Sequence, residues 1–230
     1  MRGVFVTGTG TEVGKTVVAA ALARTLAAGG ERVAVFKPAV TGLEDPGESD
    51  HELLRRAAGS EQSDEQIAPY RYLPPAAPHL AAAEAGEEID PRRLLEAARA
   101  AAGSADVLVC EGVGGLMVPL TCQPPPVTRK EAGAYLVRDL AKDLDLPLVV
   151  AAPPGLGTIN HTLLTVESAR AAGLNVAAVV LTPWPERPGA IELSNRETIE
   201  ALAAVPVRAL AKLNLADATS WPLLGLDTSI

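Results

Sequence analysis

The sequence predicts an α/β fold: one mostly parallel sheet with helices on both faces. Short apolar runs of strand length alternate with longer helix-like stretches along most of the chain. A Gly-rich stretch, Gly8–Thr16 (GTGTEVGKT), sits between the first apolar run and the first helical one. At 230 residues, 48% of them apolar, the chain is long enough for one such domain with a substantial core. The expected domain spans 1–230, without internal repeats or low-complexity segments.

In order, Val4–Thr7 reads as a strand and Lys15–Ala28 as a helix closed by Gly29-Gly30. Arg32–Phe36 is a second strand, ending at Lys37-Pro38. Ser49–Ala58 is helical, with Ser49 or Asp50 as its cap. Pro91–Ala102 is a helix stopped by Gly103, and Asp106–Cys110 a buried strand followed by a Gly-rich turn, Glu111–Gly115. Lys130–Asp143 is expected to be helical, Leu148–Ala152 a strand and Asn160–Ala172 a helix. Val176–Leu181 is a strand, Ile191–Ala203 a helix, and Val207 opens a last short strand. Gln123–Pro126 and Trp184–Pro188 are stiff loops. Ligands of such sheets bind beyond the C-terminal strand ends. The loops Gly8–Thr16, Lys37–Gly42, Glu111–Gly115 and Pro153–Asn160 should therefore share one rim.

A net charge of −8 argues against broad binding to nucleic acid or to an anionic membrane. Cys110 and Cys122 form neither a disulfide framework nor a Cys-x-x-Cys metal pattern. No leader segment and no 18-residue apolar window is evident, so a cytoplasmic location is expected.

Gly8–Thr16 has the composition of a phosphate-binding loop, and the expected class is a single-domain P-loop fold. The backbone amides of Gly10–Val17 would face nucleotide phosphates, Lys15 would reach the β- and γ-phosphates, and the Thr16 hydroxyl would help to hold Mg²⁺. The following helix points its positive end at the same anion. The loop departs from the simple pattern: five residues (Thr9, Gly10, Thr11, Glu12, Val13), not four, separate Gly8 from Gly14. Lysine is otherwise scarce, at Lys37, Lys130, Lys142 and Lys212 only. Mg²⁺ takes hard oxygen donors, commonly one or two carboxylates with phosphate and water. Thr16, Asp50 and Glu111 can supply such a set. Asp50 also reads as a helix cap, and Glu111 as a surface-turn residue.

With these residues in hand, the chain resembles the dethiobiotin synthetase family. The matching stretches are Phe5–Thr16 (FVTGTGTEVGKT), Phe36–Gly42 (FKPAVTG), Ser49-Asp50, Tyr72–His79, Cys110–Leu120 (CEGVGGLMVPL) and Gly155–Thr165 (GLGTINHTLLT). The resemblance implies a cyclo-ligase that forms C–N bonds, using 7,8-diaminononanoate, CO₂, ATP or another nucleoside triphosphate, and Mg²⁺. It implies catalytic roles for Lys37, Lys15 and Thr11, and nucleotide contacts from Gly10, Thr11, Glu12, Val13, Gly14, Lys15, Thr16 and Val17. It implies substrate contacts from Glu12, Thr41, Gly115 and Asn160, and a homodimer whose substrate site lies at the subunit interface. As bland readings, Glu12 is a solvated loop carboxylate, Asn160 a helix cap, and His79 and His161 structural residues.

The family commonly reads its base with an asparagine near the end of the strand Val176–Leu181. Thr182, Pro183 and Trp184 stand there, and one hydroxyl cannot make the paired contact of an amide. A relaxed base preference is therefore expected, with CTP or other triphosphates accepted. Trp184 either packs on the base or is structural. The alternatives are a switch ATPase of the partition or septum-positioning type and a cobyrinate-type amide ligase. The first typically carries a lysine where this chain has Gly10, and the second needs an amidotransferase domain for which 230 residues leave no room.

Overall fold

In the computed structural model, residues 1–44, 46–121 and 133–225 are described. The strands are β1 (Gly3–Gly8), β2 (Val33–Phe36), β3 (Val107–Gly115), β4 (Pro119–Thr121), β5 (Tyr135–Leu136), β6 (Leu148–Ala152), β7 (Val176–Trp184) and β8 (Val207–Ala211). The helices are α1 (Lys15–Ala28), α2 (Asp50–Ala58), α3 (Asp64–Ile67), α4 (Pro78–Glu84), α5 (Pro91–Gly103), α6 (Val137–Leu144), α7 (Thr158–Ala171) and α8 (Ala190–Ala203). Six strands form one parallel sheet in the order β2-β3-β1-β6-β7-β8, while β4 and β5 pair separately and antiparallel.

Both faces of the sheet are covered, so successive residues of one strand enter different cores. Phe5, Ala34, Phe36, Leu108 and Cys110 pack toward α5, α6, α7 and α8. Their neighbours Val4, Val6, Val33, Val35, Val107 and Val109 pack toward α1 and α2. Helix α1 is buried along Val18–Ala23, which explains its lack of a polar face. The C-terminal segment closes this second core. Trp221 and Leu224 are buried in it, the Trp221 indole donates to the Asn214 carbonyl at 2.7 Å, and Leu224 N–H donates to Thr25 Oγ1 at 2.9 Å.

Several expected boundaries change. Glu111–Gly115 is strand and not turn, because β3 continues alongside β1 until Gly115 pairs with Gly8. Thr182–Trp184 is likewise the end of β7. The helix expected over Lys130–Asp143 begins only at Val137, after the strand residues Tyr135-Leu136; the start of that span, Cys122 and Gln123–Pro126 lie outside the described residues. Helix α7 starts at Thr158 rather than Asn160, with Gly157 as its cap in the left-handed region. Among the described residues no helix is long and apolar enough to cross a membrane.

Candidate functional site

Because the sheet is parallel, the loops after β1, β2, β3 and β6 all leave by its C-terminal edge. Order and register then bring three distant residues together. Strand β3 lies between β1 and β2, with Phe36 opposite Cys110 and Val6 opposite Glu111. One step beyond the Phe36–Cys110 pair, Lys37 and Glu111 become neighbours. The Lys37 ammonium donates to Glu111 Oε1 at 2.7 Å and meets Asp50 Oδ2 at 2.6 Å. Thr16 Oγ1 lies 2.9 Å from both Asp50 Oδ1 and Glu111 Oε1, and its single proton serves one of them at a time.

Asp50 can face this cluster because another residue caps its helix. Ser49 is the N-cap of α2, and Glu52 accepts both the Ser49 N–H at 2.9 Å and its hydroxyl at 2.7 Å. Asp50 is the first helical residue, so its carboxylate is free for the cleft.

Lys37 is 3% exposed and Glu111 fully buried. Burial opposes the charge on Lys37, but Glu111 and Asp50 outweigh it and raise its pKa. Burial likewise works against the Asp50 carboxylate, yet the lysine and the Thr16 hydroxyl hold its pKa below the usual value. For Glu111 burial wins over Lys37, and its pKa rises. Lys15, buried at the start of α1, has a lowered pKa, chiefly from desolvation, and donates to the Gly10 carbonyl at 2.8 Å.

The phosphate loop is shaped by its backbone. Gly14 caps α1 with φ of 88°, a left-handed conformation open to glycine. Glu12 is also left-handed, with φ of 57°, at a cost of about 1–3 kcal/mol for a residue with a side chain. The extra loop residue is thus accommodated by a reversed turn that leaves Glu12 exposed at the mouth of the site.

A cleft of about 1050 Å³ opens here. It gathers Thr11, Glu12, Gly14, Lys15, Thr16, Val17, Lys37, Thr41, Asp50 and Glu111 from the residues singled out in the sequence. Its lining also includes the apolar side chains of Val40, Pro75, Pro78, Val113 and Val118. Leu215 also lines it, and its carbonyl accepts from Arg56 Nη2 at 2.7 Å. Sequence reasoning missed Val40, Val113, Val118, Arg71 and Leu215. Val40 and Arg71 are joined by an isolated β-bridge that no local pattern announces.

The remaining candidates do not line the cleft. The Gly10 carbonyl holds Lys15, the Val13 side chain packs on Gly8, and Gly115 pairs with Gly8. Asn160 is exposed in the first turn of α7, and Pro183 is exposed at the end of β7. Thr182 is buried against Gly14, and Trp184 packs on the core beside β8.

The donor set fits Mg²⁺. Two carboxylates and a hydroxyl converge, and Glu111 Oε2 is buried without a partner. Among the described residues there is no group of three or more His, Cys, Asp or Glu that would enclose a metal by itself. An ion whose remaining sites are filled by phosphate and water suits such an open set.

A Gly-rich loop on β1, a lysine at a helix start and carboxylates on neighbouring elements define a P-loop nucleotide-binding protein of the α/β class. The comparisons agree. A family model described as an AAA domain matches residues 2–222. The ATP-dependent dethiobiotin synthetase of Anaeromyxobacter dehalogenans (strain 2CP-C) is 44% identical over 212 residues, 90% of each chain. That of Bacillus subtilis (strain 168) is 36% identical over 208 residues, 90% of this chain and 85% of the relative. Among solved structures, the signal recognition particle receptor FtsY of Elizabethkingia anophelis matches with a TM-score of 0.52 at 13% identity, over 97% of this chain and 62% of the receptor. That likeness shows the fold alone. The chain belongs to the dethiobiotin synthetase family, within the group described by that AAA-domain model.

Proposed function

We propose that this protein closes the ureido ring of dethiobiotin from 7,8-diaminononanoate, CO₂ and a nucleoside triphosphate. The observation that carries the reading is the meeting of Lys15, Lys37 and the phosphate loop at one cleft that also has apolar lining. The apolar lining suits an aliphatic chain, and the cations suit two anions that must react.

The sequence of bonds follows from the chemistry. One substrate amine adds to CO₂ and loses a proton, leaving a carbamate. A carbamate oxygen attacks the γ-phosphorus, and the nucleoside diphosphate leaves with the electrons of the broken P–O bond. The second amine then attacks the carbonyl carbon of the carbamic–phosphoric anhydride, loses a proton and expels phosphate. Like-charge repulsion opposes the middle step, so Lys15 and Lys37 stabilise the charge that develops there. Thr11 and Thr41, on the cleft wall, offer hydroxyls to the carbamate and amine groups, and Glu12 sits at the mouth where a second amine would approach. Thr16, Asp50 and Glu111 would hold Mg²⁺, which supplies charge neutralisation on the phosphates when bound. The protein's own share is positioning, worth roughly 7–11 kcal/mol where reacting groups are well aligned.

Asn160 lies outside the cleft, and a second copy of the chain is proposed to bring that residue and the α7 N-terminus to it. Exposed apolar side chains on this side support the pairing. Leu156 is 96% exposed, and Met117 lies within 3.5 Å of Ser168, one helical turn along α7 from exposed Leu164. Incubation with diaminononanoate, bicarbonate, Mg²⁺ and ATP should yield dethiobiotin by mass; ATP hydrolysis without that product would refute the assignment.

A further inference from the structure

The corner of the cleft that suits a divalent cation is already filled by a side chain. The Lys37 ammonium and the Thr16 hydroxyl between them contact Asp50 Oδ1, Asp50 Oδ2 and Glu111 Oε1, at 2.6–2.9 Å, and leave only Glu111 Oε2 without a partner. We infer that Lys37 is a placeholder for the metal. In nucleotide-free protein its ammonium bridges Asp50 and Glu111 and offsets part of their charge, and entry of the divalent ion releases it toward the reacting anions. The inference rests on the metal assignment made above.

Charge balance drives the argument. Glu111, fully buried at the end of β3, needs a compensating cation because an unpaired buried charge is costly, and the half-exposed Asp50 at the start of α2 adds a second negative charge beside it. Lys37 supplies one positive charge. A divalent ion added beside it would put like charges in contact on shared oxygens, in surroundings that screen poorly. Occupancy is therefore exclusive. The backbone allows the exchange without refolding. Lys37 N–H donates to the Ile67 carbonyl at 2.8 Å and fixes the main chain, while the four-carbon stem can rotate. The same cleft wall carries Thr11, Thr41 and Lys15, so the freed ammonium swings to the place where carbamate and γ-phosphate would meet. Lys15 is also parked in this state, on the Gly10 carbonyl. It follows that the metal binds poorly on its own and enters well only with the triphosphate, whose charge receives the displaced lysine.

The test uses Mn²⁺ alone on the full, nucleotide-free chain, with the free aqua ion followed by electron paramagnetic resonance. Lys37→Met keeps the length of the stem and removes the charge. It should bind Mn²⁺ at least about tenfold tighter than the unaltered chain, while Lys37→Arg, which keeps a cation, should stay weak. Mn²⁺ should also raise the melting temperature of Lys37→Met much more than that of the unaltered chain. Binding to Lys37→Met no tighter than to the unaltered chain overturns the inference. If Lys37→Met folds poorly in chelator, recovery of folded protein on refolding with Mn²⁺ supports it, and failure to recover overturns it. No substrate is present in these measurements. If these results hold while the unaltered chain makes no dethiobiotin, the reaction is refuted and not the placeholder.

Discussion

Gly14→Ala isolates the contact that joins the phosphate loop to β7. A Cβ built at Gly14 would stand 2.5 Å from the Thr182 methyl, but 3.8 Å from Thr182 Cβ and 4.0 Å from its hydroxyl oxygen. Only the methyl is too close. Two costs then add. Holding alanine at a φ of 88° costs about 1–2 kcal/mol. Forcing a methyl into occupied space costs about 1–3 kcal/mol. The sum is about 2–5 kcal/mol, which in a chain of this size lowers the melting temperature by roughly 4–20 °C. The two costs separate in a double-mutant cycle. Thr182→Ser deletes the offending methyl and keeps the hydroxyl. Gly14→Ala/Thr182→Ser should recover the steric part and remain about 1–2 kcal/mol below Thr182→Ser alone. Thr182→Val, which keeps its methyls, should not rescue. Urea unfolding of the four chains in the cycle reads the coupling directly. A Gly14→Ala chain within about 0.5 kcal/mol of the unaltered one, or a double variant that falls as far below Thr182→Ser as Gly14→Ala falls below the unaltered chain, would refute the reasoning.

Lys37→Ala should lower turnover by roughly 10²–10³-fold, a loss on the order of 3–4 kcal/mol of charge stabilisation, while nucleotide affinity by calorimetry in the presence of Mg²⁺ changes far less; near-normal turnover would remove Lys37 from the mechanism. Thr182 is buried against Gly14 and offers no paired donor and acceptor, so initial rates with ATP, CTP, GTP and UTP should agree within about tenfold. A rate with ATP alone would show that another group reads the base. On the proposed homodimer, Leu164→Glu should lower the sedimentation coefficient of the unaltered chain to that of a monomer and depress the turnover of the diamine, while leaving far-ultraviolet circular dichroism unchanged; an unchanged coefficient would refute pairing through this face.

The fold was largely legible from segment length and end signals. Apolar runs such as Val107–Cys110 and Leu148–Ala152 have strand length, and α1, α5, α7 and α8 have helix length and recognisable ends. What was lost has identifiable causes. Helices α3 and α4 have four and seven residues, too few for a period to emerge. Glu111–Gly115 reads as a turn because glycine is depleted in strands; pairing with β1 overrides that preference. Gly157 extends α7 back to Thr158 by taking a left-handed cap, which a reading from Asn160 could not see.

The site was legible in its parts and not in its assembly. The loop Gly8–Thr16 announces itself because its residues are consecutive. Lys37, Asp50 and Glu111 are not, and nothing in their spacing says that one ammonium spans both carboxylates. That follows from register. Phe36 stands opposite Cys110, so the next residues of β2 and β3 meet just beyond the last buried pair. A slip of one residue between these strands would turn Lys37 from one face to the other and part it from Glu111. Such a slip would also exchange the residues facing the two cores, moving Phe36 into the space of Val35. The ion pair between Arg32 and Asp106 at the opposite end is exposed and too weakly held to set the register. The alternate packing of Val33–Phe36 and Val107–Cys110 into two different cores therefore positions the lysine.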